Sequence, residues 1–246
     1  MEQTHILIET TVNDLRCMGD PKRAVHSQRF FKTGPGQYGE GDEFLGISVP
    51  DIRAYEKAHR PWSVEVLTLL LQQPYHEVRL LALIGMTELY KRTRSGAERV
   101  AILSAYLGHT AMVNNWDLVD TSAPGIIGEY VHAHPEEGNA LLDHLAASSS
   151  LWEQRIAMVA NWRLIRYGEY EPTLRLAEKL LFHPHDLMHK AVGWMLREMG
   201  NKREDLLLAF LDIHAAAMPR TALRYAIEKL SPAQRTYFMA QGKSRK

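Results

Sequence analysis

Ser63-Val-Glu-Val-Leu-Thr-Leu-Leu-Leu71, followed after a short break by His76-Glu-Val-Arg-Leu-Leu-Ala-Leu-Ile84, is the stretch that decides the fold. Its apolar residues are Val66, Leu67, Leu69, Leu70 and Leu71, then Val78, Leu80, Leu81, Leu83 and Ile84. They recur at the 3.6-residue spacing of buried helix faces, whereas a half-buried strand would alternate strictly. Ser63 before Val64-Glu65 is a helix start, because its hydroxyl can accept one of the unpaired amides of the first turn. The same punctuation recurs at Pro135-Glu-Glu137, Glu171-Pro172, Pro184-His-Asp186 and Ser231-Pro232, and Gly108, Gly168 and Gly200 stand where helices should stop. The segments between run about 10 to 18 residues with short connections, so the fold class expected is all-α with antiparallel neighbours. No Val/Ile/Thr-rich alternating run is long enough for a sheet.

Four helix starts share a pattern. His76-Glu-Val-Arg79, Leu151-Trp-Glu-Gln-Arg155, Met188-His-Lys190 and Met218-Pro-Arg220 each bring a basic residue near the helix N-terminus, with small and aliphatic residues after it. The gaps between the basic positions are 76, 35 and 30 residues, so the first spans two repeats of 38 with one basic position skipped. Such spacing matches two-helix units of the HEAT type, in which each second helix lines the concave wall of a solenoid. A cation opposes the helix dipole at this end, so its recurrence suggests a task outside the helix; snorkelling at the surface is the ordinary alternative.

The skipped repeat reads Asn114-Asn-Trp-Asp117-Leu-Val-Asp120-Thr. Two acids at i and i+3 replace the expected base, and in a basic wall they would be kept charged by their neighbours. Either acid could instead cap a short helix before Pro124. Trp116, Trp152 and Trp194 are 36 and 42 residues apart, and Trp152 and Trp194 carry Arg155 and Arg197 three residues on, so ring and guanidinium can share a helix face. Rings beside cations are what nucleic-acid grooves use; core packing is the other use of tryptophan, and the one expected for Trp62 and Trp162.

Composition bounds the rest. The 246 residues are 46% hydrophobic and 24% charged, as in ordinary globular proteins, and no run of about 18 apolar residues suggests a membrane span. One cysteine, Cys17, excludes a disulfide framework and a cysteine zinc site. With an N-terminus lacking the pattern of a secretory signal, this makes the cytoplasm the expected compartment. Gly34-Pro-Gly-Gln-Tyr-Gly39 matches the dinucleotide fingerprint literally, but no strand precedes it and Glu40-Gly-Asp-Glu43 follows, so a long loop over 32–43 is expected. His185 and His189, with His183 near, have a metal-compatible spacing without a convincing further ligand, so no metal and no cofactor are expected. There is no serine elbow, and Lys91-Arg-Thr-Arg94 and Lys243-Ser-Arg-Lys246 are ordinary short basic runs, the latter within an expected flexible tail over 241–246.

Four ordered motifs, Phe44-Leu-Gly-Ile47 with Pro50-Asp-Ile-Arg53, Trp116-Asp-Leu-Val-Asp120, Leu151-Trp-Glu-Gln-Arg155 and Lys190-Ala-Val-Gly-Trp-Met-Leu-Arg-Glu198, resemble those of the AlkD-type DNA alkylation repair glycosylases. The resemblance implies one solenoid domain over 1–246, a right-handed α-α superhelix of HEAT-like repeats whose concave face holds duplex DNA. It implies hydrolysis of the N-glycosidic bond of positively charged N3- or N7-alkylated purines, leaving an abasic site. The catalytic aspartate then falls on Asp120 and the two groove tryptophans on Trp116 and Trp194. Arg155 contacts DNA, and Lys190, Trp152, Arg197, Arg79 and Arg220 are the further DNA-facing candidates. Asn115 stands where relatives carry a second aromatic, and the stretch Gly34–Gly41 is longer than theirs. Alkylated DNA is the expected partner, with no membrane and no obligate protein partner. A non-catalytic HEAT-repeat scaffold would share the repeats and basic positions, but would give no reason for the acids of the skipped repeat.

Net charge is zero, 29 basic against 29 acidic residues, which by itself argues against a phosphate-binding surface. By position it is uneven: 13 basic and 19 acidic residues through position 150, then 16 and 10. The C-terminal repeats are therefore expected to supply most phosphate contacts.

Overall fold

A computed structural model describes residues 2–241. Described residues are helical almost throughout, with one isolated bridge, Glu43 to Tyr75, in place of any strand. The chain divides into two compact units, Met1–Ile126 and Ile127–Lys246. Apart from Gln241, the tail expected over 241–246 lies outside the described residues.

The first unit holds α1 (Glu2–Met18), α2 (Pro21–Phe30), α3 (Val49–Ala58), α4 (Val64–Leu71), α5 (His76–Arg92), α6 (Gly96–Gly108) and α7 (Trp116–Ala123). The second holds α8 (Glu129–Ala133), α9 (Pro135–Ala146), α10 (Leu151–Tyr167), α11 (Glu171–Leu180), α12 (Asp186–Gly200), α13 (Glu204–His214), α14 (Arg220–Ala226) and α15 (Pro232–Ala240). Ser63 and Ser231 cap as the sequence marks, Ser63 accepting an amide at the start of α4 and Ser231 forming a reciprocal capping box with Gln234, and Gly168 ends α10 in the left-handed region; Ser150, which the sequence did not mark, caps α10.

Within each unit consecutive helices pack in pairs. In the first, α4 packs on α5, α6 packs beside α4, and α7 packs beside α5. In the second, α9 packs on α10 and α11 on α12, while α10, α12 and α14 form a continuous row. Helices α5 and α7 of the first unit begin at residues 76 and 116, and α10, α12 and α14 of the second at 151, 186 and 220. The repeat skipped by the basic pattern is thus present as α7. Leu67, Leu70 and Leu71 of α4 and Val78, Leu81 and Leu83 of α5 are fully buried, each contributing about 1.5–3 kcal/mol. Where α12 crosses α14, a Cβ on Gly193 would stand 2.4 Å from the Ala222 carbonyl oxygen, so only glycine permits that approach ahead of Trp194. No described helix is long and apolar enough to cross a membrane.

Candidate active site

In the first unit the candidate residues lie on α7. Asn115, fully buried, is its N-cap, and its side-chain oxygen accepts the Trp116 amide at 2.9 Å. Neither aspartate is needed as a cap. Asp120 is half-buried one turn after Trp116, and its charge helps to raise the pKa of the fully buried Tyr106, chiefly an effect of burial. Tyr106 Oη and Ser122 Oγ, 3.0 Å apart, fix the far side of the same helix.

Asp117 turns the other way. Its Oδ2 is 2.8 Å from His76 Nε2, while His76 Nδ1 is 3.0 Å from Asp42 Oδ2. Arg79 Nη2 donates to the other Asp42 oxygen at 2.6 Å, and Asn114 Nδ2 donates to that oxygen at 2.9 Å. A neutral imidazole has one N–H, and a carboxylate only accepts; two carboxylate partners therefore require both His76 nitrogens to be protonated. Burial pulls the His76 pKa down, but the hydrogen bonds and charges of Asp117 and Asp42 outweigh it and lift it to about 9. Burial likewise pushes Asp42 upward, and His76, Arg79 and Asn114 more than reverse that, leaving it below 3.8. Two acids and two cations leave this buried group neutral overall.

An aromatic stack covers it. The Phe31 ring lies on Phe44 at 5.0 Å and on Trp116 at 5.3 Å, and Phe44 lies on His76 at 4.3 Å. Phe30, 57% exposed, meets Trp116 edge-on at 5.9 Å. Beside Trp116, where residue 115 is an asparagine, the rings come from the end of α2 and the turn after it. The Lys32–Glu43 segment has no helix, as expected of a loop, and closes on itself through Gly39 N–H to the Lys32 carbonyl at 3.1 Å.

Arg79, expected to face DNA, is held by protein groups. With 3% of its surface exposed, it donates to Asp42, to Asn114 and to the Gln73 and Pro74 carbonyls, so its guanidinium braces the α4–α5 turn.

In the second unit, Arg155 is buried too, with Nη1 donating to the Leu187 carbonyl at 2.7 Å, which steadies the first turn of α12. On that helix Lys190 is half-exposed and 2.9 Å from Asp186, and Trp194 is half-buried with Nε1 donating to Glu198 at 3.1 Å. Arg197 pairs with Glu228, Arg220 donates to the Met239 carbonyl at 2.7 Å, and Trp152 is half-buried in the first turn of α10. Trp62 is core, as expected, whereas Trp162 is half-buried under the Arg166 guanidinium at 4.2 Å. His183, His185 and His189 are occupied locally: His183 and His185 accept the amides of residues 185 and 187, and His189 Nε2 lies 2.5 Å from the His183 carbonyl. No cluster of three or more ligating side chains suited to a metal occurs among the described residues.

Asp42, His76, Phe31 and Phe44 were not singled out by the sequence. Phe44 lies inside a motif, and His76 begins the stretch that decides the fold, but nothing local signals that they meet.

The family model described as DNA alkylation repair enzyme matches residues 11–230. A solved structure described as a predicted DNA alkylation repair enzyme from Enterococcus faecalis shares 19% sequence identity at a TM-score of 0.68, over 87% of this chain and 98% of that one. At that identity the likeness is one of fold. No curated protein matches the chain.

Proposed function

The chain belongs to the DNA alkylation repair enzyme family, and from that premise we propose that it is a DNA glycosylase releasing positively charged N3- or N7-alkylated purines from duplex DNA. An alkylated purine of this kind already carries the charge that weakens its bond to the sugar, so no general acid is required. The remaining needs are a negative charge near the developing oxocarbenium ion and a held water. One carboxylate supplies both, half of the two-carboxylate chemistry of glycosidases.

The observation that carries this reading is the pairing on α7 of a half-buried Asp120 with Trp116, whose indole is backed by Phe31. Asp120 is assigned the oxocarbenium and the water. Trp116 is assigned a sugar contact, its ring face offered to a cationic centre at about 1–2 kcal/mol when water is excluded. In the second unit, Trp194 is assigned a contact of the same kind and Lys190 a phosphate. Arg155 acts there by holding the turn of α12 that precedes Lys190, and Trp152, Arg197 and Arg220 are assigned weaker DNA contacts.

The test is release of base from duplex DNA containing 7-methylguanine or 3-methyladenine, read as alkali-labile abasic sites. The expected result is cleavage by the unsubstituted chain and a loss of about 100-fold or more in Asp120→Asn, with DNA affinity kept. Salt-dependent DNA binding with no base release identifies a scaffold and overturns the enzyme.

A further inference from the structure

The buried ion network under Trp116 has no part in the chemistry assigned so far, yet it contains a buried imidazole, that of His76, placed between two acids. We propose that His76 is a positioning residue for base release: clamped between Asp42 and Asp117, it fixes the first turn of α7 and so the placement of Trp116 and Asp120. The proposal rests on the glycosylase reading.

Three observations carry it. His76 is the first residue of α5 and Asp117 the second of α7, so the 2.8 Å contact between them joins two helix N-termini directly. Its other nitrogen holds Asp42, the last but one residue of the glycine-rich loop, whose two ends stack through Phe31 and Phe44. Trp116 is therefore fixed from two sides, by Asp117 in its own helix and by Phe31 across its face. The second oxygen of Asp117 is buried and takes no hydrogen bond from a described protein group, so His76 is the main tether of that carboxylate.

The groups facing His76 are Asp42 from the loop, Asp117 from α7, and Arg79 one turn along α5, which bonds the same Asp42. Loss of the imidazolium proton leaves two acids against one cation and a single N–H to serve two carboxylates, so His76 can hold Asp117 or Asp42 but not both. One side of the clamp should therefore be released as pH rises through about 9.

The experiment measures single-turnover base release, DNA affinity and Trp116 emission, the last as the difference between the chain and its Trp116→Phe variant, from pH 7 to 10. His76→Gln should lower the rate roughly 10- to 100-fold with affinity nearly unchanged, since a small misplacement of reacting groups has effects of this size. In the unsubstituted chain the rate should fall and Trp116 emission should change as pH passes about 9. His76→Gln should lack both transitions. Asp42→Asn, which retains the size of the side chain, should move both to lower pH, because one of the two carboxylates holding the proton is gone. A purely structural role would lower stability without moving these transitions. Unsubstituted rates in His76→Gln, or transitions at the same pH in Asp42→Asn, overturn the positioning role. If the unsubstituted chain releases no base, the glycosylase reading fails, and the Trp116 emission profiles still decide whether His76 holds Trp116.

Discussion

Glu77 accepts the Gly46 N–H at 2.7 Å, at the point of the Phe44–Ile47 segment where the backbone turns left-handed. The same carboxylate takes the Leu45 and Ile47 amides at 2.8 and 3.3 Å, so one side chain of α5 satisfies three successive backbone donors. A segment without helix or strand is made rigid in this way, and the stack of Phe31, Phe44 and Trp116 rests on it.

Gly46→Ala should be strongly destabilising. Gly46 has φ +82°, and a Cβ there would lie 2.2 Å from the Asp20 carbonyl oxygen and 2.6 Å from the Ala24 nitrogen, both backbone atoms. A loss of about 2–4 kcal/mol is expected by urea denaturation, combining steric conflict with the left-handed conformation.

Arg79→Met should leave Asp42 without its guanidinium and lower stability by about 3–5 kcal/mol, the usual result of breaking a buried pair from one side. The salt dependence of DNA binding should not change, because Arg79 is buried and engaged with protein acceptors. A reduced slope of log affinity against log salt would restore Arg79 to the DNA surface.

Stability should follow pH through the same network. The folded pKa of His76 is raised from 6.5 to about 9, so its contribution is complete below 6.5 and is lost as pH rises through about 9. Over that window the loss should be on the order of 3 kcal/mol, and absent in His76→Gln. Asp42 has the opposite sign: depressed below 3.8, it contributes above that value and the contribution disappears as pH falls through the folded pKa. Urea midpoints taken from pH 3 to 10 should therefore fall off on both sides of a mildly acidic plateau.

Lys190→Glu should weaken binding to duplex DNA far more than Lys22→Glu and should lower the magnitude of the salt slope by about one, as expected for one lost phosphate contact. Equal effects from the two reversals would remove Lys190 from the interface.

Periodicity and caps made the all-α, repeating architecture legible, down to α7 in the slot where the basic pattern lapses. Those signals act between residues three or four apart. The ion network joins residues 34, 37 and 41 positions apart, and no local pattern announces such a meeting. Asp42 looked like one more acid in a solvated loop, and Arg79 like a member of a basic row, because burial is decided by partners that periodicity does not reveal. Charge by position also changes once the units are known. Cut at residue 126, the first unit has 13 basic and 15 acidic residues and the second 16 and 14, so the asymmetry between the units is small.

The Phe31 and Phe44 rings, stacked 5.0 Å apart, hold together the two ends of the glycine-rich segment. Closing a loop whose ends are already pinned depends only weakly on its length, by roughly 0.6 kcal/mol for each doubling. Gly36, exposed and with open space where a Cβ would be, marks its tip as a splice point. An affinity tag or a dye-labelled peptide inserted there would be carried beside Trp116 while leaving every helix of the first unit uncut.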